Sequence, residues 1–193
     1  MKTLTKISAL LVLAIGFTSI AKAQTTQATS NQSIVLSVGA ESGISTGEFR
    51  HANKWSAGGS LQADFPVANN LYLITNVGYL EYFRLKNRYQ GFEKPDFKQL
   101  ALKTGLKYFP VQRFYVQAAI GATKSLNKFP QDGYSTSIGF IYSPEIGVQL
   151  PLGGKNSIDA AAYYEGSTKA FNYYSPGNIS SFGVRLAYAF KIR

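Results

Sequence analysis

DFPVANNLYL, residues 64–73, sets a proline between two apolar residues, follows with a polar pair, and then opens a new apolar run. The pattern returns as YFPVQRFYV (108–116) and again as QLPLGGKNSI (149–158). Phe65 to Phe109 is 44 residues, Phe109 to Leu150 is 41, and Leu150 to Phe190 is 40. Each interval has room for two long strands and the loop between them, so each repeat reads as one hairpin. The proline turn marks its base, because proline is tolerated where a strand ends and no ladder donor is needed.

The runs between these turns keep a period of two, the period of a strand. Trp55, Ala57, Gly59, Leu61, Ala63 and Phe65 alternate with Ser56, Gly58, Ser60, Gln62 and Asp64. Leu100, Leu102, Thr104, Leu106 and Tyr108 alternate with Gln99, Ala101, Lys103, Gly105 and Lys107. Ile158, Ala160, Ala162 and Tyr164 alternate with Asp159, Ala161, Tyr163 and Glu165. Phe182, Val184, Leu186, Tyr188, Phe190 and Ile192 alternate with Gly183, Arg185, Ala187, Ala189 and Lys191. Further runs lie near 33–42, 71–83, 114–124 and 136–150, which makes eight strands. No amphipathic helix stands out beside them.

The connections alternate in length. Those near 66–70, 110–113 and 151–156 are short; those near 43–53, 85–97, 125–135 and 167–177 are longer and polar. This is the signature of an up-and-down antiparallel meander closing into a barrel. A propeller repeats at a similar period but needs four strands per repeat. Pro144 conflicts with a regular ladder, so a bulge or a local break is expected there.

The polar face decides which side of the barrel is wet. It carries Glu41, Asp64, Lys103, Lys107, Glu145, Asp159, Glu165, Arg185 and Lys191, interspersed with Gly, Ala and Ser. Small residues suit a crowded eight-strand interior, where they leave room for long charged ones. The other face is Leu, Val, Ile, Tyr and Phe. Phe65, Tyr72, Tyr108, Phe109 and Phe190 lie near the short turns, where they would form an interfacial girdle. The expected architecture is an eight-stranded antiparallel up-and-down transmembrane β-barrel.

The N-terminus supports that reading. Lys2 and Lys6 precede an apolar stretch over 7–20, and Ala21-Lys22-Ala23 offers a cleavage site. Residues 1–23 thus read as a secretory signal peptide, residues 24–32 as a flexible polar lead-in, and 33–193 as the barrel domain. The chain has no cysteine, which excludes disulfides, thiol nucleophiles and cysteine-based metal sites. No cofactor or metal is expected. Formal charge is +10; the leader carries Lys2, Lys6 and Lys22, which leaves +7 for the mature chain.

The alternation over 182–192, the segment YSPEIGVQLPLGGKN (142–156) and the FPV turns together resemble the small eight-stranded outer-membrane barrels of Bacteroidetes type. That broad group includes barrels similar to the OmpA transmembrane domain and OmpX. The resemblance implies the outer membrane of a Gram-negative cell, a monomer, and delivery by the barrel-insertion machinery. Family members usually end on an aromatic residue; here Phe190 is followed by Lys191, Ile192 and Arg193.

Two groups of residues stand out as sites. The first is a lumenal ion-pair network in tiers above the short turns: Asp64, Lys107 and Asp159 low, with Lys191 beside them, Lys103, Glu145 and Arg185 in the middle, Glu41 and Glu165 high. Paired buried charges are tolerated where single ones are costly, so this set should plug the barrel. The second is a basic outer rim, with Arg84, Lys86 and Arg88 above Tyr82 and Phe83, and further aromatics that include Phe49 and Phe97. Such a rim suits anionic lipopolysaccharide head groups. His51, the single histidine, could be joined to Ser56 or Ser42 and Glu48 as a lipid-modifying site, but the spacing matches no hydrolase motif. Nucleic acid is not an expected partner. The expectation is a non-enzymatic envelope or surface-interaction protein; a narrow pore is the alternative, and a lipid-modifying enzyme the third.

Overall fold

The computed structural model describes residues 33–51, 53–84, 96–127, 138–168 and 178–192. The expected signal peptide (1–23) and lead-in (24–32), Lys86 and Arg88 lie outside the described residues. Eight strands follow one another: β1 (Ile34–Thr46), β2 (Asn53–Ala68), β3 (Leu71–Arg84), β4 (Phe97–Val111), β5 (Phe114–Ser125), β6 (Ile138–Gly153), β7 (Asn156–Ser167) and β8 (Ile179–Ile192). Each pairs antiparallel with the next, and β8 returns to β1, with Ile34 opposite Ile192, to close the barrel.

The repeated proline turns take a common form. Asn69–Asn70, Gln112–Arg113 and Gly154–Lys155 are two-residue connections. The prolines lie just before them, inside the strand ends. The ladder slips there between Pro66 and Ala68, between Tyr108 and Val111, and between Pro151 and Gly153. A bulge accommodates a residue that cannot donate to the ladder and turns the strand toward its hairpin. Asn70 and Arg113 have positive φ, 59° and 76°, and Gly153 and Gly154 take the same sense at 105° and 59°.

The loop end departs from expectation in the first hairpin. Strand β1 runs on to Thr46, and only a 3₁₀ turn, Gly47–His51, separates it from β2. Gly47 breaks the strand at φ 59°, and the turn folds Phe49 back into the barrel mouth, where it is buried. A slip between Asn53 and Trp55 then lets both Asn53 and Ser56 face inward.

Facing follows the expected parity. Arg185 is 2% exposed and Leu186 is 59% exposed, so adjacent residues of β8 meet opposite environments. The outward wall is apolar, with Leu61, Val77, Leu102, Leu106, Ile120 and Ile146 exposed along it. The interior holds most of the buried charge. This is the inverse of a soluble barrel.

Aromatics form two belts on the wall. Phe65, Tyr108, Phe114, Tyr188 and Phe190 lie near the short turns. Near the loop end, Trp55 stacks on Phe83, and Phe140, Tyr142, Tyr164 and Phe182 follow in a chain of ring contacts. Tyr72 and Phe109 do not belong to the lower belt. They share the inward parity of Ile74 and Lys107, and their rings meet edge to face at 5.7 Å.

Pro144 breaks the ladder without a bulge. The pairing of β6 with β7 passes from Tyr142–Gly166 to Glu145–Tyr163 in the same register, skipping Ser143 and Pro144, while β5 pairs with both. Facing is therefore regular above it: Ile141 and Ser143 point in, Tyr142 points out. Amides beside this break should exchange with solvent deuterium faster than those at matching height in the β5–β6 seam, because exchange reports local opening. Equal protection of the two seams would show that the break costs the wall nothing.

Candidate functional site

Among the described residues the alternating pattern delivers eight acidic and basic side chains to the lumen: Glu41, Asp64, Lys103, Lys107, Glu145, Asp159, Glu165 and Arg185, all buried. Lys191 is exposed at the short-turn end and is not among them.

Lys107 is the centre of the lower half. Its Nζ donates to Asp159 Oδ2 at 2.8 Å and to Asp64 Oδ2 at 3.1 Å, and lies 4.0 Å from the centre of the Tyr115 ring. Asp64 also accepts from Gln62 Nε2 at 2.8 Å. Gln62 continues sideways to Gln117 at 3.2 Å and accepts from Asn76 at 3.3 Å. The Tyr115 hydroxyl oxygen lies 2.6 Å from Asp159 Oδ1 and 2.8 Å from Glu145 Oε1, within hydrogen-bond distance of both. Its ring covers Gly147 on the facing strand so closely that no Cβ could fit there.

Arg185 links the lower half to Glu41. Its Nη1 is 3.9 Å from Asp159 and its Nε is 3.7 Å from Glu41, its neighbour across the β1–β8 seam. Nε also donates to Ser60 Oγ at 3.1 Å, and Nη2 to Ser37 Oγ at 2.8 Å. Higher up, Lys103 Nζ meets Glu165 Oε2 at 2.8 Å.

The tiers are therefore not separate. Lys103 and Arg185 reach up to Glu165 and Glu41, Arg185 also reaches down to Asp159, and Glu145 is held by Tyr115. Three cations face five carboxyl groups, so the set is not a one-to-one balance; Tyr115 and Gln62 also hydrogen-bond to carboxylates, while Ser37 and Ser60 accept from Arg185. Charge alone does not single out Tyr115, Ser37 or Ser60, but each has inward parity on its strand.

Aromatic side chains gather at both ends of the lumen. At the loop end Phe49, Leu80, Tyr82, Phe97 and Ile179 form a buried cluster inside the mouth. At the turn end Phe109 contacts both Tyr72 and Tyr115 beneath Lys107. Phe49, Phe97 and Tyr82 are thus lid residues rather than outer-rim contacts; Phe83 alone of its pair faces outward.

The outer rim is only partly described. Arg84 ends β3, its backbone paired with Asn53. Lys98 lies 3.5 Å from Glu81 on the outer wall, which offsets part of its charge. Arg50, His51 and Lys54 are exposed. The histidine constellation is not assembled: Ser56 is fully buried in the lumen, and Ser42 lies on the outer wall, donating to the Ser56 carbonyl at 3.1 Å.

Solved structures with the same fold are small membrane barrels. Neisserial surface protein A (NspA) aligns at 17% identity and a TM-score of 0.56, covering 82% of this chain and 97% of that one. The outer-membrane protein Ail of Yersinia pestis, in a phospholipid bilayer nanodisc, aligns at 15% and 0.54, covering 82% and 99%. The outer-membrane protein AlkL, in DMPC lipid bilayers, aligns at 15% and 0.54, covering 88% and 94%. The chain has the closed eight-stranded fold of this class. No family model matches the chain, and no curated protein does. None of these comparisons supports the narrower Bacteroidetes type.

Proposed function

We propose that the chain is an integral outer-membrane barrel serving envelope structure or surface interaction, without catalysis and without a conducting pore. One observation carries this: a bonded ion-pair network crosses the lumen, and a buried apolar cluster caps it at the loop end. An eight-stranded barrel has an interior just wide enough for side chains to fill. The apolar wall and its two aromatic belts support insertion in a bilayer. Of the similar folds, NspA is a surface protein by name and Ail an attachment invasion locus protein by name, which supports an outward-facing role. In this reading the barrel-insertion machinery places a monomer in the membrane, and the basic loop end faces lipopolysaccharide.

Planar-bilayer recording of the refolded protein tests this directly. No stable open conductance is expected. A steady, ion-selective current from the wild-type barrel would overturn the plugged reading and return the narrow pore to first place.

A further inference from the structure

The outer wall carries a recess, lined mainly by apolar wall residues, that the inward-facing strand positions border only at Gln117, Glu145 and Tyr163 and at two glycines. It begins at the loop end of the first hairpin. There Arg50, His51 and Lys54 surround a cavity of about 510 Å³ that Ile44 and Ser45 also line. Ile44 lines a second, larger recess of about 840 Å³ on the apolar wall. The register shows how it arises. Ile44 lies between Trp55 on β2 and Phe182 on β8, and two residues below it Ser42 lies beside Val184, which in turn faces Ala162 on β7. Large side chains above small ones leave a ledge with a hollow beneath it.

The geometry points to a seat for one acylated lipid with a phosphate-monoester head group, the chemistry of the lipid A part of lipopolysaccharide. This rests on the outer-membrane reading above and names the partner of its loop end. The phosphate lies among Arg50, His51 and Lys54, and one acyl chain lies beneath Ile44 on the floor made by Ser42 and Ala162. Three arguments converge. First, the basic groups surround one cavity at the top of an apolar recess, an arrangement that a merely solvated rim does not require. Second, a phosphate monoester carries up to two negative charges and several acceptor oxygens, matching more than one cation at once, and the arginine fork suits it. Third, a hollow lets an acyl chain make close contacts along its sides, where a flat wall offers one.

Native mass spectrometry of refolded protein released from detergent, titrated with bisphosphorylated lipid A, tests the seat. Phosphatidylglycerol and phosphatidylcholine serve as parallel probes. One lipid A should stay on each chain in preference to either phospholipid. Arg50→Ser with Lys54→Ser should lower its retention ~10-fold or more, given the usual contribution of each cation near an anionic head group. Ala162→Phe should lower retention with every charge in place, by filling the floor. Arg113→Ser with Lys155→Ser, at the opposite end, should leave retention unchanged.

Trp55, the only tryptophan in the chain, borders the recess and gives a second readout. Lipid A with brominated acyl chains should quench it in the wild type and much less in Ala162→Phe. Equal retention by the wild type and the Arg50/Lys54 variant would overturn the seat, as would no preference for lipid A over phosphatidylcholine, or a protein dimer in place of bound lipid. Failure of the outer-membrane reading looks different: no variant, and not the wild type, would give a heat-modifiable folded band in lipid vesicles.

Discussion

Lys107→Met should cost the folded barrel ~3–5 kcal/mol, the usual penalty for removing one partner of a buried ion pair. The site gives reason to expect the upper part of that range. Lys107 is 1% exposed, and its ammonium is the cation that both Asp64 and Asp159 contact at hydrogen-bond distance. Methionine fills similar volume, so the loss is of charge and not of packing. The two aspartates keep unequal compensation. Asp159 retains the Tyr115 hydroxyl and Arg185 at 3.9 Å, whereas Asp64 falls back on the amide of Gln62 at 2.8 Å. Adding Asp64→Asn to Lys107→Met should therefore recover a large part of the stability. Urea unfolding of the three proteins in lipid vesicles measures both effects. A Lys107→Met midpoint equal to wild type would mean that the network is decorative.

Leu186→Arg should block insertion. Leu186 is outward and 59% exposed near the middle of β8, where arginine on the lipid face of a barrel costs ~2–4 kcal/mol. The penalty should depend on depth. Phe190→Arg, at the turn-side belt, should cost only ~0–1 kcal/mol because the charge reaches the interface. Arg185→Leu, one residue away, acts on the other side of the wall by stripping Glu41 and Asp159 of a cation, and shows no such depth dependence. Heat-modifiable gel mobility after folding into vesicles separates the three. Wild-type folding of Leu186→Arg would mean that the exposed wall does not face lipid.

The wall was largely legible because strand facing depends on parity alone: once Arg185 points in, Leu186 must point out. Hairpin bases were legible because proline cannot continue a ladder, although the sequence suggests prolines within the turns and the structure shows them in bulged strand ends. The pairing inside the lumen was not legible. Barrel strands are tilted and staggered, so residues equally far along their strands from the short turns need not lie at one height. Glu41 and Glu165 therefore meet cations assigned to the tier below. Tyr72 and Phe109 show a different limit. Residue type suggested an interfacial girdle, while their parity with Ile74 and Lys107 places them inside. Aromatics also pack inside the barrel beside its buried ion pairs, and type alone does not separate the two uses. Phe49 was hidden because a short 3₁₀ turn occupies what reads as a long polar loop.

The closing seam has a consequence for how the barrel comes into being. β1 pairs with β8 along thirteen residue pairs, from Ile34–Ile192 to Thr46–Ser180. Of the eight barrel strands, the one synthesised first therefore pairs with the one synthesised after all the others. Until β8 arrives, one side of β1 is a row of unpaired amides and carbonyls, which hydrocarbon does not tolerate. Contacts so distant along the chain also form late, since the long loop must be closed before they reward it. The first strand must wait, shielded by water or by another protein, and a chain stopped short of β8 has two raw edges and no stable place in a bilayer.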